Sequence, residues 1–199
     1  MKSFSIFCIM FLFTSVSYGQ ANKPVDYLGA SAPISFDNSM YNLAWTSHPA
    51  TNYYKQEYFK KGDTMTKFRS MILLELLTGA TKIKDVIGNK VAELKSMKAA
   101  NPFISYETFG NAEKGEYILD FLVTENEPDG KTARIAERNI YRYKTFVGKN
   151  GESGVLLFGV SVRSYGNETT KFIEALQSNR NVLVDKVKEV RIPAIAIRK

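Results

Sequence analysis

The sequence has very few of the side chains on which most catalytic and metal sites depend. Its 199 residues include one cysteine, Cys8, and one histidine, His48. Zinc sites built from thiolates or several histidines are therefore excluded. A serine triad would need His48 as its base, and no G-x-S-x-G or S-x-x-K motif presents a serine. Whether the protein is an enzyme stays open, but these absences favour a non-enzymatic protein that uses no metal and no cofactor.

The sequence also lacks an apolar segment that fits a membrane span, which takes about 20 residues. Its apolar run Phe4–Phe13 is shorter, follows Lys2 and leads into small and polar residues. This pattern is typical of a secretory signal peptide, which we predict over residues 1–19. The cut is expected before Gln20, or two residues further on. Because Cys8 lies in the middle of the run, a lipoprotein anchor is not expected, and the predicted location is secreted or periplasmic.

Basic residues exceed acidic ones only moderately. There are 27 Lys and Arg residues against 20 Asp and Glu, and the predicted leader carries one of the basic ones, so the net charge falls from +7 to +6. A basic surface favours anionic partners. For an exported protein the candidates are an anionic polysaccharide, a lipid surface or an envelope protein, and nucleic acid is not expected. Moderate positive charge is also common in soluble proteins, so it does not choose a ligand.

The apolar content is sufficient for a core without disulfides, because 44% of residues are hydrophobic and 13% aromatic. Pro and Gly mixed with scattered apolar residues predict an N-terminal arm over residues 20–42, followed by one domain over 43–199. Apolar residues lie nearly all round a helical projection of Met65–Leu77, which predicts a buried helix. Spacings of three and four predict a second helix over Ile83–Met97 and a third from Asn167 to Val187.

Alternation of apolar and polar residues marks the remaining elements as strands. The predicted strands cover 53–59, 103–109, 117–123, 132–147 and 156–162. We therefore expect an α+β fold in which an antiparallel meander of three to five strands packs against two central helices and a C-terminal helix. The order of elements is also similar in outline to the α/β/α sandwich of the Mog1 and photosystem-P-protein (PsbP) type. That alternative assigns no residue a role.

Two glycine-rich turns have part of the pattern of a binding loop. Gly110–Glu116 has the glycine spacing of a phosphate loop, but the lysine and hydroxyl that should follow the second glycine are missing. Glu125–Gly130 has the alternating acids of a calcium loop, yet its twelfth position is Ala136 where a glutamate is needed. We predict that both are hairpin turns.

The predicted strand 132–147 carries basic residues at alternate positions, and alternate residues share one face of a strand. Tyr141 and Tyr143 fall on the other face. A row of guanidinium groups can bind phosphate, sulfate or carboxylate. The alternative is that this is the ordinary solvent-facing side of a sheet. The basic residues are Arg134, Arg138, Arg142 and Lys144.

Two further groups of residues are candidates for a site. Aromatic residues that include Trp45 and Tyr54 could stack on sugars or fill the core. Asp120 and Glu107 fall on neighbouring predicted strands, where paired carboxylates could hydrolyse a glycoside. The preferred hypothesis is a secreted or periplasmic non-enzymatic binding or accessory protein with an anionic or saccharide ligand. The alternatives are a hydrolase with paired carboxylates and a structural component of the cell envelope.

Overall fold

A computed structural model describes residues 23–30, 32–111 and 115–198. The described chain forms one curled, eight-stranded antiparallel sheet, two α-helices and one 3-10 turn. The predicted signal peptide over residues 1–19 lies outside the described residues. The elements are β1 (Ile34–Phe36), β2 (Ser39–Ala50), β3 (Tyr53–Phe59), β4 (Ser70–Thr78), α1 (Ile83–Ala100), β5 (Ser105–Asn111), β6 (Glu116–Asn126), β7 (Ala133–Val147), β8 (Ser153–Tyr165), the 3-10 turn (Gly166–Glu168) and α2 (Thr169–Glu189).

The sheet consists of two antiparallel meanders that meet in its middle. The strand order is β1-β2-β3-β4-β8-β7-β6-β5, so β4 pairs with β8 at the junction. Helix α1 carries the chain from central β4 to the far edge at β5, and the second meander then returns towards β4. The central strands are therefore neighbours in the sheet although they are distant in sequence.

Each face of the sheet has its own core. One face packs against α2, the residues before β1 and the chain that follows α2, with Leu28, Ile72 and Phe158 at its centre. The opposite face packs against α1, which contacts β5, β6 and β7. Leu94 of α1 and Leu119 of β6 lie in this second core. We call these the α2 face and the α1 face.

The predicted helix over Met65–Leu77 is wrong, because this stretch contributes β4, Ser70–Thr78. Strand β4 lies between β3 and β8 and has apolar neighbours on both faces, as Ile72 lies in one core and Leu73 in the other. A strand covered on both sides is apolar at nearly every position, and it then lacks the alternation that identifies strands. The apolar run was therefore assigned to the wrong element.

The expected architecture is wrong in consequence. The sheet has eight strands, not three to five, and only α1 remains of the two central helices. The α/β/α sandwich is overturned as well, since the described chain is mostly one large antiparallel sheet that curls into a half-barrel and carries only short helices. The α+β content is confirmed, and so are the helices α1 and α2.

Part of the segment predicted as an arm over residues 20–42 contributes to the sheet. Strand β1 and the beginning of β2 fall within it, and they pair with each other. Leu28 is fully buried, and its backbone N–H donates to Oε1 of the buried Gln56 at 2.7 Å. Among the described residues, neither α-helix has the length and apolarity needed to cross a membrane.

Candidate functional site

The row of basic residues on β7 lies on the α2 face, where the helix covers two of its four members. Arg138 is 4% exposed and forms a bidentate ion pair with Asp120, with its Nε and Nη2 each 3.0 Å from a carboxylate oxygen. Its Nη2 also donates to the backbone carbonyl of Arg180 on α2 at 2.5 Å. A buried guanidinium is tolerated when its donors are matched in this way. Arg138 therefore holds α2 against the sheet.

Arg142 also holds α2 against the sheet, at the C-terminal end of the helix. Its Nη1 donates to the backbone carbonyls of Val187 and Val190, at 3.2 and 3.1 Å. The last carbonyls of a helix have no partner within the helix, so this contact satisfies the C-terminal end of α2. The other donors of Arg142 bind Glu116, which also pairs with Lys144 at 2.6 Å. Although burial opposes the shift, these hydrogen bonds lower the pKa of Glu116.

Of this row only Arg134 has a largely exposed side chain, and it pairs with Glu125 on β6. The structure thus brings the four predicted basic residues to one face, as their alternation requires, but it places two of them under α2. The expected solvent-facing row is wrong for Arg138 and Arg142, whose donors bind carboxylates and helix carbonyls.

The two carboxylates predicted as a pair do lie side by side, because Glu107 of β5 is directly opposite Asp120 of β6. Arg180 of α2 lies between them, with Nε 2.6 Å from Asp120 Oδ2 and Nη1 3.2 Å from Glu107 Oε1. They border a cleft of about 460 Å³ between the sheet and α2, which we call the Arg180 cleft. Its lining residues are Phe103, Ser105, Glu107, Asp120, Leu122, Arg138, Ile173, Leu176 and Arg180.

The aromatic residues near the start of the chain divide between the two faces. Tyr54 lies on the α2 face and is buried, with its ring stacked on the imidazole of His48 at a centroid distance of 4.1 Å. Tyr58 is buried in the same core, and its hydroxyl donates to the carbonyl of Ala30 at 2.9 Å. These two tyrosines fill the core and fix the chain before β1. Tyr54 is therefore not available as a sugar platform.

Trp45 and Tyr53 lie on the opposite, α1 face, on strands that α1 does not contact extensively. They belong to a group of six partly exposed polar and aromatic side chains on β2, β3, β4 and β7. We call this group the Trp45 patch. Its members are Trp45, Tyr53, Lys55, Glu57, Glu75 and Tyr141.

The register of β3 against β4 places the charged members of the Trp45 patch together. Lys55 is directly opposite Glu75, and its Nζ lies 3.1 Å from Glu57 Oε1 and 3.9 Å from Glu75 Oε1. The same ammonium group lies 5.6 Å from the centre of the Trp45 ring, within the range of a cation–π contact. One lysine thus holds two carboxylates beside an indole.

A glycine allows Tyr141 of β7 to join the Trp45 patch from across β8. Gly159 pairs with both Tyr141 and Leu73. A Cβ atom at Gly159 would lie 3.0 Å from the Tyr141 ring and 3.2 Å from the Leu73 side chain. The ring therefore lies over the glycine, and its edge-on contact with Phe121 at 4.9 Å supports it from the other side.

Burial changes the acid–base properties of the Trp45 patch. It raises the pKa of the Glu75 carboxyl, an effect that the nearby Lys55 ammonium and a hydrogen bond with Tyr53 only partly offset. Burial and the Glu75 charge likewise raise the pKa values of the Tyr53 and Tyr141 hydroxyls. Both tyrosines therefore keep their protons at neutral pH and remain hydrogen-bond donors.

The sequence analysis missed Glu57 and Glu75 as site residues. Glu75 was placed on a helix that does not exist, which separated it from Lys55 in the expected fold. A signal was present, because Glu75 is the only charged residue in the apolar run Met71–Leu77. A short run that follows Ser70 and ends just before Gly79 is typical of a buried strand, where a lone carboxylate stands out. In the described part of the chain, no three His, Cys, Asp or Glu residues cluster in a way that could hold a metal ion.

Comparison with known proteins extends this description. A protein-family model matches residues 28–192. The chain belongs to this family, which is uncharacterised. The match covers both the Trp45 patch and the Arg180 cleft. Neither a curated protein nor a solved structure matches the chain.

Proposed function

We propose that the protein is a secreted or periplasmic, non-enzymatic domain that binds a saccharide at the Trp45 patch. The observation that carries this proposal is the combination of an indole, two tyrosines, two carboxylates and one ammonium group on one partly exposed area of the sheet. The predicted signal peptide supports the location.

The chemistry of these groups is complementary to a sugar ring. An aromatic face packs against the apolar C–H face of a sugar, while carboxylates accept hydrogen bonds from its hydroxyls. Lys55 and the protonated Tyr141 supply donors to the same ligand, while the Tyr53 hydroxyl is hydrogen-bonded to Glu75. A few oriented polar groups beside aromatic side chains are the usual composition of a small-molecule site.

The charges of the Trp45 patch favour a neutral saccharide over an anionic one. Glu57 and Glu75 contribute two carboxylates, and among the basic side chains that the structure describes only the Lys55 ammonium lies within 4.0 Å of them. The row on β7 does not compensate, since Arg138 and Arg142 lie on the opposite face in ion pairs of their own. An anionic polysaccharide would have to approach two glutamates whose paired cation, Lys55, is already shared between them.

Trp45 provides the test, because it is the only tryptophan in the sequence and its fluorescence reports directly on the patch. The protein that begins at Gln20 is titrated with neutral oligosaccharides of the glucose, N-acetylglucosamine and mannose series. At least one series should give a saturable change in emission. Glu57→Ala should weaken that binding about tenfold or more, as expected for loss of a hydrogen bond to a charged group.

The matched control is Glu125→Ala, which removes an exposed carboxylate paired with Arg134 away from the patch. It should leave the affinity unchanged. If no series changes the emission, or if Glu57→Ala and Glu125→Ala behave alike, the proposal fails.

A second candidate function is glycoside hydrolysis by the carboxylates of Glu57 and Glu75. It is favoured by the raised pKa of Glu75 beside Glu57, because glycosidases pair a protonated acid with an ionised carboxylate. Release of reducing ends from a bound oligosaccharide, abolished by Glu75→Gln while binding persists, would establish this activity. Binding without release would establish the non-enzymatic domain.

A further inference from the structure

The Arg180 cleft has polar and apolar walls, and it lies on the α2 face, away from the Trp45 patch. Its volume of about 460 Å³ falls within the range of small-molecule pockets, which is about 300–1,000 Å³. The cleft opens between α2 and the edge of the sheet formed by β5 and β6. Access to it therefore requires no movement of the central strands.

One wall of the cleft is fixed by ion pairing. Asp120 is 1% exposed and uses both carboxylate oxygens to bind Arg138. Its Oδ2 also accepts from Nε of Arg180, which holds that guanidinium in one orientation. The Asp120–Arg138 pair is buried, so Asp120 stays in place as an anchor for Arg180 when a ligand enters.

The second partner of Arg180 is exchangeable. The Glu107 side chain is 52% exposed, stands on the edge strand β5 and makes one contact of 3.2 Å with Nη1 of Arg180. Exposed ion pairs of this kind contribute little, because water solvates both partners almost as well. When Glu107 turns towards water, the cleft keeps two guanidinium groups and one carboxylate. It then holds one net positive charge.

The remaining walls are apolar. Phe103 and Leu122 line the cleft on the sheet side, and Ile173 and Leu176 line it on α2. Phe103, Ile173 and Leu176 are partly exposed, so their surfaces stay in contact with water when the cleft is empty. A ligand with an apolar part would remove this surface from water.

We propose that the Arg180 cleft binds the carboxylate of a small amphipathic acid, which replaces Glu107 on Arg180 while its apolar part packs against α2. The planar guanidinium is suited to this role, since its N–H groups match the geometry of a carboxylate. The site is independent of the saccharide site, because it uses other residues on the other face.

The probe for the test is octanoate, measured by isothermal titration calorimetry at neutral pH on the protein that begins at Gln20. Octanoate should bind at one site, whereas octylamine, with the same chain and the opposite charge, should not bind. Acetate has the charge without the chain, and octanol has the chain without the charge. Each should bind at least about tenfold more weakly than octanoate.

Two variants locate the site. Arg180→Met keeps an apolar stem and removes the charge, so octanoate affinity should fall about tenfold or more, while Arg134→Met should leave it unchanged. Glu107→Gln removes the competing carboxylate and should tighten binding. The Glu107 variant leaves the buried Asp120–Arg138 pair intact and therefore tests the site even if Arg180→Met alters folding.

Several outcomes would overturn the proposal. They are the absence of octanoate binding, equal binding of octanol and octanoate, and an affinity that Glu107→Gln leaves unchanged or weakens. Binding that survives Arg180→Met in a protein with the far-UV circular dichroism of the original chain would also overturn it.

Discussion

The two faces of the sheet use charged residues in opposite ways. On the α2 face, Arg138 and Arg142 are buried, and their donors bind carboxylates and backbone carbonyls of the helix. On the α1 face, Glu57 and Glu75 are partly exposed and share Lys55. The arrangement on the α2 face holds the helix α2 against the sheet. The arrangement on the α1 face leaves hydrogen-bonding capacity that a ligand can use.

This comparison teaches that charge at alternate positions of a strand does not by itself identify a binding surface. The basic residues of β7 share one face because of the period of the strand. Whether they meet water or a helix depends on where α2 docks, which is a tertiary property. Burial and the number of satisfied donors separate the two cases, and both require the assembled fold.

The largest expected effect is on the α2 face. Arg138→Ala leaves the Asp120 carboxylate buried with one partner fewer, and removing one member of a buried ion pair costs about 3–5 kcal/mol. The free energy of unfolding, measured by urea denaturation, should fall by that amount. The helix carbonyl of Arg180 also loses its donor, which adds to the loss.

The control for this prediction is Arg134→Ala on the same strand. Arg134 and Glu125 are both exposed, so their ion pair is worth no more than about 1 kcal/mol. Equal effects of the two substitutions would show that Arg138 is not a fastening residue, and the contrast between the two faces would lose its basis.

The second prediction concerns the α1 face. Gly159→Ala would place a methyl group 3.0 Å from the Tyr141 ring, and overpacking of this kind costs about 1–3 kcal/mol. The Tyr141 ring should move away from Glu75, so saccharide affinity measured through Trp45 emission should fall together with stability.

The matched change is Gly88→Ala in α1, where nothing lies within 4 Å of the added methyl. It should stabilise the protein by up to about 1 kcal/mol. A Gly159 variant with unchanged affinity would remove Tyr141 from the site.

Much of the outer fold was predictable from the sequence, whereas its centre was not. Helices α1 and α2 have one apolar side against the sheet, and their periodicity identified them. Most strands of the second meander were found in the same way. The prediction for the stretch around Ile72 was wrong because a central strand with two apolar faces has no period of two.

That single error also concealed the candidate site. With Glu75 on a helix, its cross-strand partner Lys55 could not be recognised, and the Trp45 patch had no carboxylate on β4. The pairing of Glu107 with Asp120 was anticipated because both strands alternate clearly. The presence of Arg180 between them was not, since it depends on how α2 lies across the sheet.

The smallest expected effect is a difference in the pH dependence of stability. Burial raises the pKa of Glu75 above its ordinary value of 4.5, so the folded protein binds this proton more tightly than the unfolded chain does. The contribution of Glu75 to stability is therefore fully present below the ordinary value and is lost as the pH rises towards the folded value. The effect should be smaller than the two above, because Lys55 and Tyr53 offset part of the cost of burying the charge.

Glu75→Gln removes the titrating group, so the stability of the variant relative to the original protein should rise as the pH is raised above the ordinary value of 4.5. Urea denaturation at each pH measures this difference directly. Glu125→Gln is the matched control, because it removes an exposed carboxylate on β6, and it should change the free energy of unfolding by no more than about 1 kcal/mol. A Glu75 variant whose relative stability falls as the pH rises would mean that Lys55 stabilises the ionised form, and the patch would then resemble the matched ion pairs of the α2 face.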